Sequence, residues 1–418
     1  ASLLDSALQK RLDLYGADSL EVAQSAEKLG GVQTLTAEYG KAETNYRNAL
    51  NLRQKLLGPE HVDIARSQYR LADLLFREGK YEAAEPLFRD ALAMQRKLLG
   101  GNSLEVAKSL EGLALNHYKQ GKYDEALPPM RLAVELQRGL HKEPHTDLAE
   151  ALSNLGTVLS DKGEYQEAEK LYREGLQMKR VLLGDTHPEI AASLINIAYV
   201  LTDEKKYDQA AAMYREAIAM QRKLLGDDHP DIAAALNNLA FVLHDKGDAK
   251  GARRMMQESV DMYRRTVGPE HPSTARGMAN VAMWQMEAGD YASAEPLLRE
   301  TLQLQRKLLG NEHTDVAGAL TLLATLLVET RRFEEARAAA AEARAICLPA
   351  LGAADWRTAA ASSTEGAALL GLGQTAQGAK LLLEGLAALQ ADVGALPFNV
   401  RNAARWAADY QLKRPGAT

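Results

Sequence analysis

Apolar residues recur three and four positions apart along the chain, as at Ile190, Leu194, Ile197, Ala198 and Leu201. That spacing places one face of an amphipathic helix against a core and predicts a first helix of about fifteen residues. It opens on Pro188, Pro230 or Pro272, where a missing N–H costs nothing, and an acid follows at Glu189 and Asp231 near the positive helix end. It stops at a glycine (Gly79, Gly121, Gly163, Gly247, Gly289, Gly373), the residue that best tolerates a left-handed cap. A second helix follows from a Tyr or Phe at Tyr81, Tyr123, Tyr165, Tyr207, Tyr291 and Phe333. It carries Ala84, Ala126, Ala168, Ala210, Ala252 and Ala294 where the two helices approach closely. Cations such as Arg96, Lys97, Arg222, Lys223, Arg306 and Lys307 occupy its last turns.

The whole pattern returns every 42 residues, closing at Gly16, Gly58, Gly100, Gly184, Gly226, Gly268, Gly310, Gly352 and Gly394, with Lys142 the exception. A constant period without insertions makes each unit one layer stacked on its neighbours. The expected organisation is a leading helix in 1–16, the second half of a repeat, then nine 42-residue units in 17–394, then a C-terminal capping helix and tail in 395–418. The final helix is expected at about Asn399 to Leu412. In the third unit the ending is RGLHKEPH, with Gly139 in a basic position and Pro128-Pro129 near the start of its second helix, so a local irregularity is expected there. The last two units lose the cap glycine at Arg331 and the aromatic at Thr375, a drift that fits capping of the stack.

The pattern HPDIAAALNNLAFVLHDKG followed by YxxAExLYRxALxMQRKLLG resembles a tetratricopeptide repeat (TPR). Its 42-residue length and H-P-[DE]-[IV]-A opening are similar to the repeats of kinesin light chain, though no heptad coiled coil accompanies them. The resemblance implies an all-α fold: a right-handed TPR superhelix, an α-solenoid of antiparallel helix pairs whose first helices line a concave groove. It also implies binding of extended or helical peptide segments of partner proteins. The peptide-holding Asn of kinesin light chain, the first of LNNLA, is kept only as Asn237; Ser153, Ile195 and Ala279 depart from it.

Composition narrows the function classes. A formal net charge of −6 leaves no overall basic footprint for nucleic acid, and no apolar run is long enough to insert in a membrane. The single Cys347 excludes an internal disulfide framework and fits a cytoplasmic, reducing compartment. The chain opens at Ala1 within a repeat, so a processed exported form or a trimmed chain is also compatible. There is no GxxxxGK[ST] loop, GxSxG elbow or HExxH, and no enzymatic activity, cofactor or metal is expected. Six histidines, His61, His145, His187, His229, His271 and His313, hold one equivalent loop position. Packed helices lie about 8–10 Å apart, too far for equivalent residues of adjacent layers to share one metal. Hydrogen bonding at the start of the first helix is their expected role, and His117, His141 and His244 stand outside that set.

Taking the positions that face the groove in the resembled family, the first three units contribute Arg66, Tyr69, Arg70, Phe76, Arg77, Lys108, Tyr118 and Lys119. Basic groups interleaved with aromatics suit an acidic peptide with bulky side chains; a solvated basic face is the plain alternative. One position at the end of the first helix reads Leu35, Arg77, Lys119, then Asp161, Asp203, Asp245, Glu287 and Glu329: the sign flips once and stays flipped. Beside the acidic row stand Ile195, Tyr199, Asn237, Phe241, His244, Met283 and Met286. An apolar floor with an acidic rim suits a basic amphipathic helix or strand, or a cover supplied by the chain itself. Asn154, Asn196, Asn238 and Asn280 form a ladder that can bracket an extended peptide backbone or bond to the next helix.

The expected function is a non-catalytic protein-interaction scaffold that captures peptide segments in its groove. The alternative is a regulatory sensor whose superhelix responds to a peptide or self-segment and controls a catalytic partner. The uncovered leading helix is also a place for end-to-end self-association.

Overall fold

The computed structural model describes residues 2–392 and 394–412. Among them every regular element is a helix. α1 Ser2–Tyr15 precedes nine pairs: α2 Leu20–Leu35 with α3 Tyr39–Leu57, α4 Val62–Arg77 with α5 Tyr81–Leu99, α6 Leu104–Lys119 with α7 Tyr123–Leu140, α8 Thr146–Lys162 with α9 Tyr165–Leu183, and α10 Pro188–Asp203 with α11 Tyr207–Leu225. Then come α12 Pro230–Asp245 with α13 Ala249–Thr266, α14 Pro272–Glu287 with α15 Tyr291–Leu309, α16 Thr314–Glu329 with α17 Phe333–Leu351, and α18 Trp356–Gly371 with α19 Thr375–Ala391. α20 Pro397–Leu412 closes the described chain. By packing, Ala1–Met220 and Gln221–Thr418 are two compact units, the division falling within α11.

Helix pairing follows from the small positions. Ala84, Ala126, Ala168, Ala210, Ala252 and Ala294 are wholly buried, so each pair closes to the distance of a methyl group. Leu194, Leu236 and Leu320 lie in the core, each at most 2% exposed. At Gly112 the partner is an aromatic ring: an added Cβ would stand 2.5 Å from Phe88, so only glycine admits that ring.

Caps set the ends. His61, His145, His187, His229, His271 and His313 each turn Nδ1 toward the backbone N–H two residues on and accept from it at 3.1–3.2 Å, satisfying one orphan donor of the helix. The stop after the first helix demands a left-handed residue whatever its identity. Gly79 and Gly247 adopt it at φ +78° and +94°, and Ala37, Lys205 and Arg331 adopt it at +58°, +61° and +57°. A Cβ in that region is strained, so these three units forgo some stability.

The expected irregularity of the third unit divides in two. α7 runs unbroken through Pro128 and Pro129. Pro129 has no N–H to offer the Glu125 carbonyl, and the buried His117 ring lies 3.2 Å from that oxygen through Nδ1, which therefore carries the proton and donates. The end of α7 does depart from the pattern: the helix stops one residue early at Leu140, His141 is extended where most units keep a last helical Leu, and Lys142 stands where they have a positive-φ glycine.

Candidate functional site

In the unit Ala1–Met220, side chains of α4, α6 and α8 with the inner edges of α5 and α7 enclose a cleft of about 480 Å³. The spacing that buries Leu71, Leu75, Leu110 and Leu113 in the core leaves the opposite faces of α4 and α6 to form its walls. Arg66, Tyr69, Arg70, Arg77, Lys108 and Asn154 all line it, as does Phe76. Tyr69 sets its ring edge-on to Phe88 at 5.7 Å, which fixes the aromatic wall.

The charge of the cleft is mixed. Asp73, Glu105, Glu111, Asp147 and Glu150 line it beside the four bases. Arg66 is paired with Asp63 at 2.8 Å, Arg77 with Asp73 at 2.9 Å, and Lys108 with Asp147 at 3.3 Å. Arg70 is exposed and has no ion pair among the described residues. The acids escape a scan of one helix position per unit because they come from neighbouring positions and from α8.

Glu111 is the most perturbed carboxyl of the cleft. Burial pushes its carboxyl up to about 7, against the opposing pull of the Asn154 amide, which donates to it at 2.5 Å. Asn154 thus bonds to the preceding layer. Beneath the walls, Gln95 and Gln137 are 3% and 1% exposed, and Gln95 Oε1 with both amide atoms of Gln137 has no hydrogen-bond partner among the described residues. Buried amides without partners are uncommon, and these belong to the lining of the cleft.

The remaining candidates of this unit lie elsewhere. Lys119 ends α6 with its ammonium 5.2 Å from the Tyr118 ring centre, and Tyr118 donates to Asp161 at 2.6 Å. Asn196 and Tyr199 are on α10, Asn196 partly buried and Tyr199 53% exposed. Burial, and then the nearby Asp161, raise the Asp203 carboxyl above its ordinary range.

In the unit Gln221–Thr418, Asn237, Asn238 and Phe241 lie on α12. Asn237 donates to Asn238 at 3.2 Å, and Asn280 donates to Asn237 at 3.5 Å. Phe241 meets Trp284 edge-on at 5.2 Å, while His244 stacks on the same indole and reaches Glu287 through Nε2 at 2.7 Å. The acidic row here meets a basic helix from the same chain. Arg401 of α20 pairs with Glu287, Arg405 with Glu329 at 2.6 Å, and Trp406 donates to Glu329 at 2.8 Å. Phe398, Arg401, Asn402 and Arg405 share a cleft of about 580 Å³ with His244, Met286 and Thr325. Sequence reading found the acidic row and the terminal helix separately; a separation of 76 residues between Arg405 and Glu329 carries no periodic signal.

Three His and Asp side chains also gather at the start of α8, where His141, His145 and Asp147 bring ligating atoms within 4.8 Å of one another. His141 therefore does not stand apart, as the sequence suggested. No helix among the described residues is long and apolar enough to cross a membrane.

Comparison with known proteins follows the same lines. The tetratricopeptide repeat family matches residues 21–97, 63–139, 147–223, 189–265, 231–307 and 277–348. Among proteins of curated function none matches. Similar solved structures include the apo form of the quorum sensor NprR from B. thuringiensis, 13% identical over 88% of this chain and 98% of that one, with a TM-score of 0.57. The apo form of RapI is 15% identical over 68% and 98%, with a TM-score of 0.53. The nearly identical TPR-like repeats named for kinesin light chain from Podosopora anserina are 23% identical over 50% and 98%, with a TM-score of 0.46. At these identities the likeness concerns the fold.

Proposed function

Because the chain belongs to the tetratricopeptide-repeat family, we propose that it is a protein-interaction module and that the cleft on α4, α6 and α8 receives a peptide segment of a partner. The observation that carries this reading is the floor of that cleft, where Gln95 Oε1 and both amide atoms of Gln137 have no partner among the described residues. A peptide backbone presents both a donor and an acceptor and would satisfy them. Arg70, without an ion pair, would take an acidic residue of the segment, and Tyr69 and Phe76 a bulky one. The compensated pairs of Arg66, Arg77 and Lys108 make a uniformly acidic segment unnecessary, and Glu105 and Glu150 can meet a base.

The test selects peptides from a display library on the full chain and measures their affinity for Arg70→Glu and Gln137→Leu. Loss of binding in both, with unchanged helical content, supports the reading. Selected peptides that bind both variants as tightly as the unaltered chain would remove the cleft from it.

A second reading concerns the unit Gln221–Thr418 and is favoured by α20. Arg401, Arg405 and Trp406 lie on the Glu287–Glu329 row as a basic amphipathic segment would. In this reading α20 is a self-segment that a competing basic peptide displaces, and its release is the signal to a partner. A basic peptide that binds the chain only after Arg401 and Arg405 are changed to Ala would support it; identical binding before and after would count against it.

A further inference from the structure

The third repeat closes unlike its neighbours. Where others end Leu99-Gly100 or Leu183-Gly184, it ends His141-Lys142. The His141 ring lies flat on that of His145, centroids 3.6 Å apart and planes 9° from parallel. His145 in turn accepts from Asp147 N, the cap bond common to the repeats. His141 Nε2 is buried and has no hydrogen-bond partner among the described residues.

We infer that His141, His145 and Asp147 form a binding site for a divalent transition-metal ion, zinc(II) by the character of the donors, with water completing the shell. Two imidazoles and one carboxylate suit that class, whereas magnesium and calcium prefer oxygen donors throughout. Donors bonded at about 2.0–2.1 Å around a tetrahedral ion stand about 3.3 Å apart. Their ligating atoms now lie within 4.8 Å of one another, so they have to close by up to about 1.5 Å, and the two rings have to turn out of their parallel stack, because an imidazole binds an ion in its own plane.

The other repeats supply an internal control. His61, His187, His229 and His313 keep an acid two residues on, but Leu57, Leu183, Leu225 and Leu309 stand where this repeat has His141. Each sister cap therefore offers at most two of the three donors. Two contacts oppose the ion: the cap bond that His145 Nδ1 accepts from Asp147 N, which has to open before that ring can be a ligand, and the Lys108 ammonium, 3.3 Å from the Asp147 carboxylate. An ion on Asp147 repels that cation and frees it toward the cleft it lines.

The experiment titrates zinc(II) into the full, untagged chain by calorimetry. One ion per chain is expected, with affinity reduced at least about tenfold in His141→Leu. Leu is the residue the sister repeats carry, so the helical melt of that variant should be retained. Lys108→Met should tighten binding, and His187→Leu should leave it unchanged. Were His141→Leu not to fold, the visible absorption of the unaltered chain with cobalt(II) decides, since a four-coordinate site is intensely coloured and an octahedral aqua ion is not. Absence of one-to-one binding, full retention in a folded His141→Leu, or a cobalt spectrum like the free ion's would each overturn the assignment.

Discussion

Replacing Glu111 by Gln should stabilise the protein at pH 8 and do little at pH 4. Glu111 sits in the cleft of the first unit, where burial raises its carboxyl from 4.5 to about 7 in the folded chain. A carboxyl raised on folding binds a proton more tightly in the native state, so its favourable contribution is complete below about 4.5 and is lost as pH rises through about 7. Raising the carboxyl from 4.5 to about 7 corresponds to roughly 3 kcal/mol at most, and partial exposure of the side chain reduces this to about 1–3 kcal/mol. Gln is of the same size, keeps an oxygen for the Asn154 amide, and never ionises. Urea denaturation of both chains at closely spaced pH values reads the effect as a difference of midpoints, in which the contributions of other groups cancel. The difference should open between pH 4.5 and 7 and then level off. A pH-independent difference, or a Gln variant less stable above pH 7, would refute the argument that desolvation outweighs the Asn154 hydrogen bond.

Other expectations rest on single positions. Leu194→Ala removes a side chain with no exposed surface and should cost about 2–5 kcal/mol in chemical denaturation. Lys205→Gly relieves a non-glycine residue at φ +61° and should gain about 1 kcal/mol, whereas Gly247→Ala, at φ +94°, should lose at least as much. Changing Arg401 and Arg405 together to Ala removes the ion pairs to Glu287 and Glu329, and should speed hydrogen exchange in α20 while leaving α12 to α15 protected.

Much of this architecture is legible from the chain because its signals are local and repeated. Pro188, Gly79, Ala84 and the capping histidines each report on backbone within a few residues, and the constant period places them in successive layers. Even the exceptions at Lys205 and Arg331 keep the left-handed conformation, since the next helix must start in the same place. The cleft is less legible. Arg66, Tyr69, Arg70 and Lys108 could be assigned to a common face, but Asp63 and Asp73, which pair with Arg66 and Arg77, sit three and four residues away on the same helix, off the position compared between units, and Asp147 of α8 comes opposite Lys108 only on packing. Glu111 looks like an ordinary surface acid until desolvation is counted. The pairing of α20 with the acidic row and the stacking of His141 on His145 depend on where a terminal helix and an atypical turn come to rest, which periodicity does not encode.

The central claim is that the first unit takes a peptide in the cleft of α4, α6 and α8. Hydrogen exchange of the full chain with and without a selected peptide locates the contact without assuming it. New protection is expected in 66–77 and 104–115, abolished by Arg70→Glu. Protection confined to α9 or α10, or unaffected by that substitution, would contradict it.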